Sequence, residues 1–293
     1  MSVSEGKKLK EILKEKGTVV LPGAVNCLEG RIIKRMGFDA IHMSGFGAEV
    51  DLLGYPDMGF SQSTEIADVT GRIYDATGLP IIADADVAWG DVLATQRTIH
   101  LLEKAGAAGC HIEDQAMPMK CAGMKGLKYV SKEKIVSKIK AALDARTDPD
   151  FIIIGRTDVY AGKHDYQETL DRLYALEEAG ADMLEAGGAF PAELWDDLTS
   201  RFPHKLCLPS GLYPYPGFDI PTQKWIDRKL GFLFYPQAAQ MASAKAIEIA
   251  MEQIKKGVFT EEFCKEHFAS MEELNEIVDA PYYFAKEAEF AAD

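Results

Sequence analysis

The chain has 293 residues, 47% of them hydrophobic, which is enough to bury one large α/β core. A formal net charge of −14 with no run of basic residues excludes nucleic acid and anionic membrane surfaces as natural partners. No apolar run approaches the ~20 residues of a membrane span, and five scattered cysteines without a C-x-x-C pair exclude a disulfide framework and a cysteine-rich zinc site.

A soluble cytoplasmic protein is therefore expected. Its first segment, MSVSEGKKLKEILKEKG, is charged and helix-patterned. After it, four helix-like segments end in Gly and run at once into a short apolar stretch: KRMGFDAIHMSG, EKAGAAGCHIED, EEAGADMLEAG and RKLGFLFYPQ. Gly just past a helix end supplies a left-handed cap. Filling in the rest predicts strands over 19–24, 40–45, 81–86, 109–114, 151–158, 183–187, 205–211 and 232–237, with helical patterns between them. Eight such strands alternating with helices predict an α/β fold of the (β/α)₈ TIM-barrel type. A doubly wound sheet competes, but VLPGAVNC after the first strand is no Gly-rich phosphate loop. The barrel domain is expected to cover 1–257. The stretch 258–293 predicts two further helices with Pro281 near their ends, too small to fold alone. Its apolar stripe (Phe263, Phe268, Met271, Leu274, Val278, Tyr282) needs the barrel or a neighbouring subunit to cover it.

Each strand turns polar at its C-terminal end, the face on which barrels build active sites. The residues are Ser44, Asp84 and Asp86, Glu113 and Asp114, Arg156 and Asp158, Glu185, and Ser210. Strand alternation points Asp84 with Asp86, His111 with Glu113, and Arg156 with Asp158. Clustered carboxylates repel unless a cation sits among them. With oxygen donors only and no His/Cys cluster on offer, a hard divalent ion fits best, Mg²⁺ with Mn²⁺ as substitute. The alternative is that the acids pair only with Arg156 and backbone donors. His42, His100 and His111 are expected to be core or supporting residues, and Trp89 to pack at the barrel mouth.

After the fourth strand, about fifteen residues with Pro118, Gly123 and Gly126 precede the next helix, longer than the 2–6 usual for such loops. A loop of that length at this face is a candidate lid. It carries Lys120 beside Cys121. A neighbouring ammonium lowers a thiol's pKa, so proton exchange near neutrality is expected there.

With these residues in view, the chain resembles the isocitrate lyase/phosphoenolpyruvate mutase superfamily, and most of all its 2-methylisocitrate lyase-like branch, which also holds dimethylmalate lyase and oxaloacetate hydrolase. The resemblance runs from about residue 7 to about 256, through MSGFG (43–47), GYPDMG (54–59), DADVAWG (84–90), HIEDQ (111–115), KCAG (120–123), GRTD (155–158) and YPQAA (235–239). It implies direct Mg²⁺ coordination by Asp84, with Asp57, Asp86 and Glu113 acting largely through metal-bound waters. It further implies that Ser44–Gly45–Phe46 holds a substrate carboxylate or 2-oxygen, that Arg156 pairs with a carboxylate, and that Glu185 lies on the substrate side. Cys121 falls on the family's proton-transferring lid cysteine, which the phosphonate-forming mutases usually lack. By the same resemblance, the C-terminal helices would be exchanged between subunits of a dimer within a tetramer.

The chain departs from the family pattern at Met119 and Gly123, where the lid motif has lysine and histidine, and at Ser210, where asparagine is common. Lys120 is then the lid's candidate ammonium. The leading expectation is a lyase splitting a small 2-hydroxy acid into a 2-oxo acid and a second acid. Hydrolysis or decarboxylation of oxaloacetate is the alternative reaction, and a binding protein that kept the fold without turnover is the alternative class.

Overall fold

Eight parallel strands close on one another in the computed structural model, which describes residues 3–209 and 220–291. The strands are β1 (Val19–Ala24), β2 (Ile41–Met43), β3 (Ile81–Asp84), β4 (Gly109–Glu113), β5 (Ile152–Thr157), β6 (Met183–Ala186), β7 (Leu206–Pro209) and β8 (Phe232–Tyr235), and β8 returns to pair with β1. Helices α1 (Glu5–Lys16) and α2 (Cys27–Arg35) come first, then a single turn, α3 (Gly45–Gly47), which runs into a π-helical segment over Ala48–Leu53. Next are α4 (Ser63–Thr77), α5 (Val92–Lys104), α6 (Lys132–Ala145), α7 (Val159–Lys163), α8 (Tyr166–Glu178), α9 (Ala192–Arg201), α10 (Thr222–Asp227) and α11 (Ala238–Lys256). The chain is thus the expected (β/α)₈ barrel.

Inward-facing strand residues fill the barrel floor. Val19, Leu21, Ile82, Ile152, Ile154, Phe232 and Phe234 pack there, with Leu9 of α1 plugging the base. A second, outer layer packs the helices onto the strands through Ile66, Ile73, Ile99, Leu102, Ile135, Ile139, Leu173 and Leu176. Three of the four Gly joins behave as anticipated, with Gly37, Gly106 and Gly180 in the left-handed region. At the fourth, Lys229 takes that conformation instead. Gly231 is needed there for close approach, since a Cβ would sit 2.4 Å from Met183 and 2.6 Å from the His204 carbonyl oxygen.

Strands β2–β6 and β8 end one or two residues sooner than their patterns suggest, and at β2 and β3 the cause lies at the site. Ser44 leaves β2 to cap the next turn, its hydroxyl accepting from Gly47 N–H at 3.2 Å. β3 stops at Asp84 because Asp86 turns left-handed (φ 43°).

The C-terminal part forms three helices after α11 rather than two: α12 (Glu261–His267), α13 (Met271–Ile277) and α14 (Ala280–Phe290). Ser270 and Glu273 form a capping box that starts α13 afresh, and Pro281 opens α14. None of the three contains a buried residue. Arg35 of α2 meets Glu276 of α13 at 3.1 Å. Among the described residues, no helix is long and apolar enough to cross a membrane.

Candidate active site at the barrel mouth

A cavity of about 530 Å³ opens at the C-terminal ends of the strands. Its lining includes Ser44, Phe46, Asp57, Asp84, Asp86, Glu113, Lys120, Cys121, Arg156 and Glu185. The expected residues therefore converge, apart from Gly45, which lies just beneath, and Ser210, which lies outside the described residues.

The carboxylates are held by backbone. Gly45 N–H donates to Asp84 Oδ2 at 3.1 Å and Asp86 N–H to Asp84 Oδ1 at 3.0 Å. Residue 45 must be glycine, because a Cβ would fall 2.8 Å from Asp86 Oδ1 and 2.9 Å from Asp84 Oδ2. Asp57 rides on a loop that Glu49 anchors, accepting from Met58 N–H at 2.8 Å and Ser61 N–H at 2.9 Å. Trp89 does pack at the mouth, and its Nε1–H donates to the Ser61 carbonyl at 2.7 Å. From outside the barrel, the buried Lys138 of α6 reaches through to the Val87 carbonyl oxygen and fixes the left-handed loop after β3. Arg156 forks onto Asp158 at 2.8 and 3.1 Å and also lies 3.3 Å from Glu113 and 3.4 Å from Glu185.

Glu113, Asp158 and Glu185 thus ring the half-buried Arg156 guanidinium, and Asp57, Asp84 and Asp86 line the same cavity with no second arginine among its described lining residues. The imbalance is visible in their proton affinities. Burial, reinforced by Asp84 and Glu49, raises Asp57 to about 7. Burial and neighbouring carboxylates lift Asp86 and Glu113 well above the usual range. Asp84 alone is lowered: burial pushes it up, but His111, Arg156 and His42 outweigh that. Glu113 Oε1 and Glu185 Oε2 are buried without a hydrogen-bond partner. Such a donor set fits a divalent cation, which would supply the missing positive charge.

One expectation needs correcting. The donors are not oxygen alone, since His42 and His111 meet at the mouth with their Nε2 atoms 3.0 Å apart. With Asp84 they form a group of three positioned to bind a metal ion. Strand alternation shows both rings facing inward, but the stagger of β2 against β4 decides that they touch. Burial and the neighbouring His111 push His42 down to about 3.

The long loop between β4 and α6 lies over the cluster. Gln115 secures it, giving and taking hydrogen bonds with the Lys120 backbone at 2.8 and 3.1 Å and donating to Asp158 at 2.7 Å. Cys121 N–H donates to the Asp57 carbonyl at 2.9 Å, and its thiol lies close enough to the Asp57 carboxylate to feel its charge. The anticipated acidic thiol is not found. Burial, with the negative charge of Asp57, pushes Cys121 up to about 12. Lys120 does not offset this, because its Nζ lies 3.5 Å from the Lys125 carbonyl oxygen. Met119 is buried beside the loop that carries Asp57, and a Cβ added at Gly59 would come within 3.4 Å of its Cγ and 3.7 Å of its sulfur.

Residues 9–211 match the family model described as phosphoenolpyruvate phosphomutase. The 2,3-dimethylmalate lyase of Eubacterium barkeri is 45% identical over 177 residues, 60% of this chain and 61% of that protein. The chain thus spans about three fifths of that relative's length. Carboxyvinyl-carboxyphosphonate phosphorylmutase of Arabidopsis thaliana is 32% identical over 97% of this chain and 84% of its own. Among solved structures, an oxaloacetate acetylhydrolase in complex with 3,3-difluorooxalacetate matches with a TM-score of 0.89 at 26% identity, covering 98% of this chain and 97% of that one. A phosphonopyruvate hydrolase complexed with oxalate and Mg²⁺ matches with a TM-score of 0.85 at 26% identity, covering 98% and 99%. The chain belongs to the phosphoenolpyruvate mutase/isocitrate lyase superfamily.

Proposed function

We propose that the chain is a divalent-ion-dependent carbon–carbon lyase. It cleaves a small 2-hydroxy di- or tricarboxylate, of the methylisocitrate or alkyl-malate type, to a 2-oxo acid and a second carboxylic acid. The observation that carries this reading is the lid thiol: Cys121 keeps its proton, is tied to Asp57 through its backbone N–H, and lines one cavity with the Asp84-centred carboxylates. The named activity of the dimethylmalate lyase relative supports it.

The ion would be Mg²⁺, replaceable by Mn²⁺, held by Asp84 and, less directly, by Asp57, Asp86 and Glu113. It would supply Lewis-acid stabilisation of charge on the 2-oxygen and adjoining carboxylate. The Ser44–Gly45–Phe46 turn presents the acid head, Arg156 with Glu185 orients the far end, and Ser210 is the remaining candidate for contact with the substrate. As the carbon–carbon bond breaks, the carboxylate cluster takes the 2-hydroxyl proton, leaving the 2-oxo acid and a carbanion on the departing acid. Cys121 delivers its proton to that carbon, and Asp57, which adjoins Cys121, relays the hydroxyl proton back to sulfur. Lid closure through Gln115 keeps water from the carbanion. Lys120, on the same lid, balances the charge of the entering acid. The protein would work in the cytoplasm as a homodimer or tetramer covering the exposed apolar faces of its C-terminal extension, residues 258–293 beyond a barrel domain of 1–257.

Hydrolysis of oxaloacetate is the second reading, favoured by the near full-length match to an oxaloacetate acetylhydrolase. Mass spectrometry of products from 2-methylisocitrate, 2,3-dimethylmalate, 2-methylmalate and oxaloacetate separates the two. Pyruvate or another 2-oxo acid from a hydroxy acid supports the lyase, whereas oxalate and acetate from oxaloacetate replace it with the hydrolase.

A further inference from the structure

The His42–His111 pair is not needed by a carboxylate-bound Mg²⁺, an ion that prefers oxygen donors and retained waters. Its geometry is specific. The two Nε2 atoms are 3.0 Å apart, and Asp84 Oδ1 lies 3.5 Å from His111 Nε2. For bonds of about 2.1 Å, two ligands on one ion stand roughly 3.0 Å apart at a right angle and about 3.4 Å apart at the tetrahedral angle. A single shared proton accounts for the contact between the rings but not for the carboxylate aimed at the same nitrogen.

The outer side of His111 fits as well. Its Nδ1 lies 3.7 Å from Glu185 Oε2, and neither atom has a hydrogen-bond partner. A carboxylate behind a metal-bound imidazole fixes its tautomer and strengthens it as a donor. Both rings are braced by Phe234, whose centroid lies 4.6 Å from that of His42 and 6.1 Å from that of His111. All three donors are buried at the cavity floor.

We propose that His42, His111 and Asp84 form a mixed imidazole–carboxylate ion site that takes a borderline transition ion of the Co²⁺ or Zn²⁺ class in preference to Mg²⁺. Imidazole donors favour such ions over Mg²⁺, and Asp84 is common to this site and to the oxygen-donor cluster above it. His42 is the distinguishing residue, because it contributes nothing to a site made of oxygen donors. The proposal rests on reading Asp84 as an ion ligand.

The test uses the full-length protein stripped with chelator, with CoCl₂ and MgCl₂ as probes. Affinities come from titration calorimetry, and visible absorption reports nitrogen ligation of Co²⁺. Wild type should bind Co²⁺ at least tenfold more tightly than Mg²⁺. His42→Phe should weaken Co²⁺ at least tenfold and alter its spectrum while leaving Mg²⁺ within about twofold. His42→Asn, with circular dichroism as a fold control, gives the same comparison if the phenylalanine variant does not fold. Unchanged Co²⁺ affinity and spectrum in either folded variant overturns the proposal, as does wild type that binds Mg²⁺ but prefers it to Co²⁺. Wild type that binds neither ion overturns both this proposal and the divalent-ion reading of the carboxylate cluster.

Discussion

Cys121 illustrates how a side chain's chemistry depends on what surrounds it rather than on its sequence neighbour. The adjacent Lys120 points away to a carbonyl oxygen, while burial and Asp57 hold the thiol protonated. A thiol of this kind serves as an acid. Cys121→Ala should therefore lower turnover by about 10²–10⁴-fold, the usual worth of a positioned proton donor. Ion affinity should stay within a few-fold, which calorimetry checks; equal loss of ion binding would show the residue to be structural. Asp84, Glu113 and Arg156 were legible in the sequence because strand ends in a barrel deliver polar residues to one face. Glu49 and Gln115 were not, because each acts through backbone groups of a loop whose path no periodicity encodes. The histidine pair escaped notice for a related reason, since facing inward does not reveal which inward side chains meet.

At the scale of elements, the loop after β3 shows how a helix on the outside of the barrel supports chemistry inside it. Asp86, Ala88 and Trp89 all take left-handed backbone, a strained arrangement for residues other than glycine. Lys138 of α6 holds that loop through the Val87 carbonyl. Lys138→Met leaves this buried oxygen unpaired and should cost about 1–3 kcal/mol. It should also weaken ion binding by about 10–100-fold, as loss of a supporting contact does. Calorimetry with thermal melts checks both, and an unaltered ion affinity would detach the helix from the site. The carboxylate cluster makes a second prediction. A carboxyl whose folded pKa is raised stabilises the fold below its unfolded value of about 4, and that stabilisation is lost as pH rises through the folded value. Asp57 does this through about 7, and Asp86 and Glu113 act in the same direction. Ion-free protein should therefore lose melting temperature from about pH 5 to pH 8, and saturating Mg²⁺ should flatten the slope. A melting temperature that rises over that range without ion would contradict the assignment. The short lengths of β2 and β3 were not legible, because Ser44 and Asp86 leave their ladders for cap and turn geometry that an apolar pattern does not record.

For the whole molecule, the eightfold alternation and the Gly joins carried the barrel in full. The C-terminal part was legible only as helical and in need of cover. Its helices expose Met271, Tyr282, Tyr283, Phe284 and Phe290, more apolar surface than a monomer usually presents to water. Sedimentation at micromolar concentration should give at least twice the 32.3 kDa chain mass. Phe284→Lys with Tyr283→Lys should shift it toward one chain mass. A monomeric wild type would remove the case for subunit contacts through these helices.

The measurement that bears most directly on the proposed chemistry is ion-dependent release of a 2-oxo acid. Chelator-stripped full-length protein would be given the hydroxy-acid panel and titrated with Mg²⁺, with the 2-oxo acid followed by mass spectrometry. Release that is absent without ion, saturates as ion is added, and is abolished again by EDTA is the predicted result. Carbon–carbon cleavage that proceeds unchanged in EDTA would contradict the role given to Asp84 and its neighbouring carboxylates.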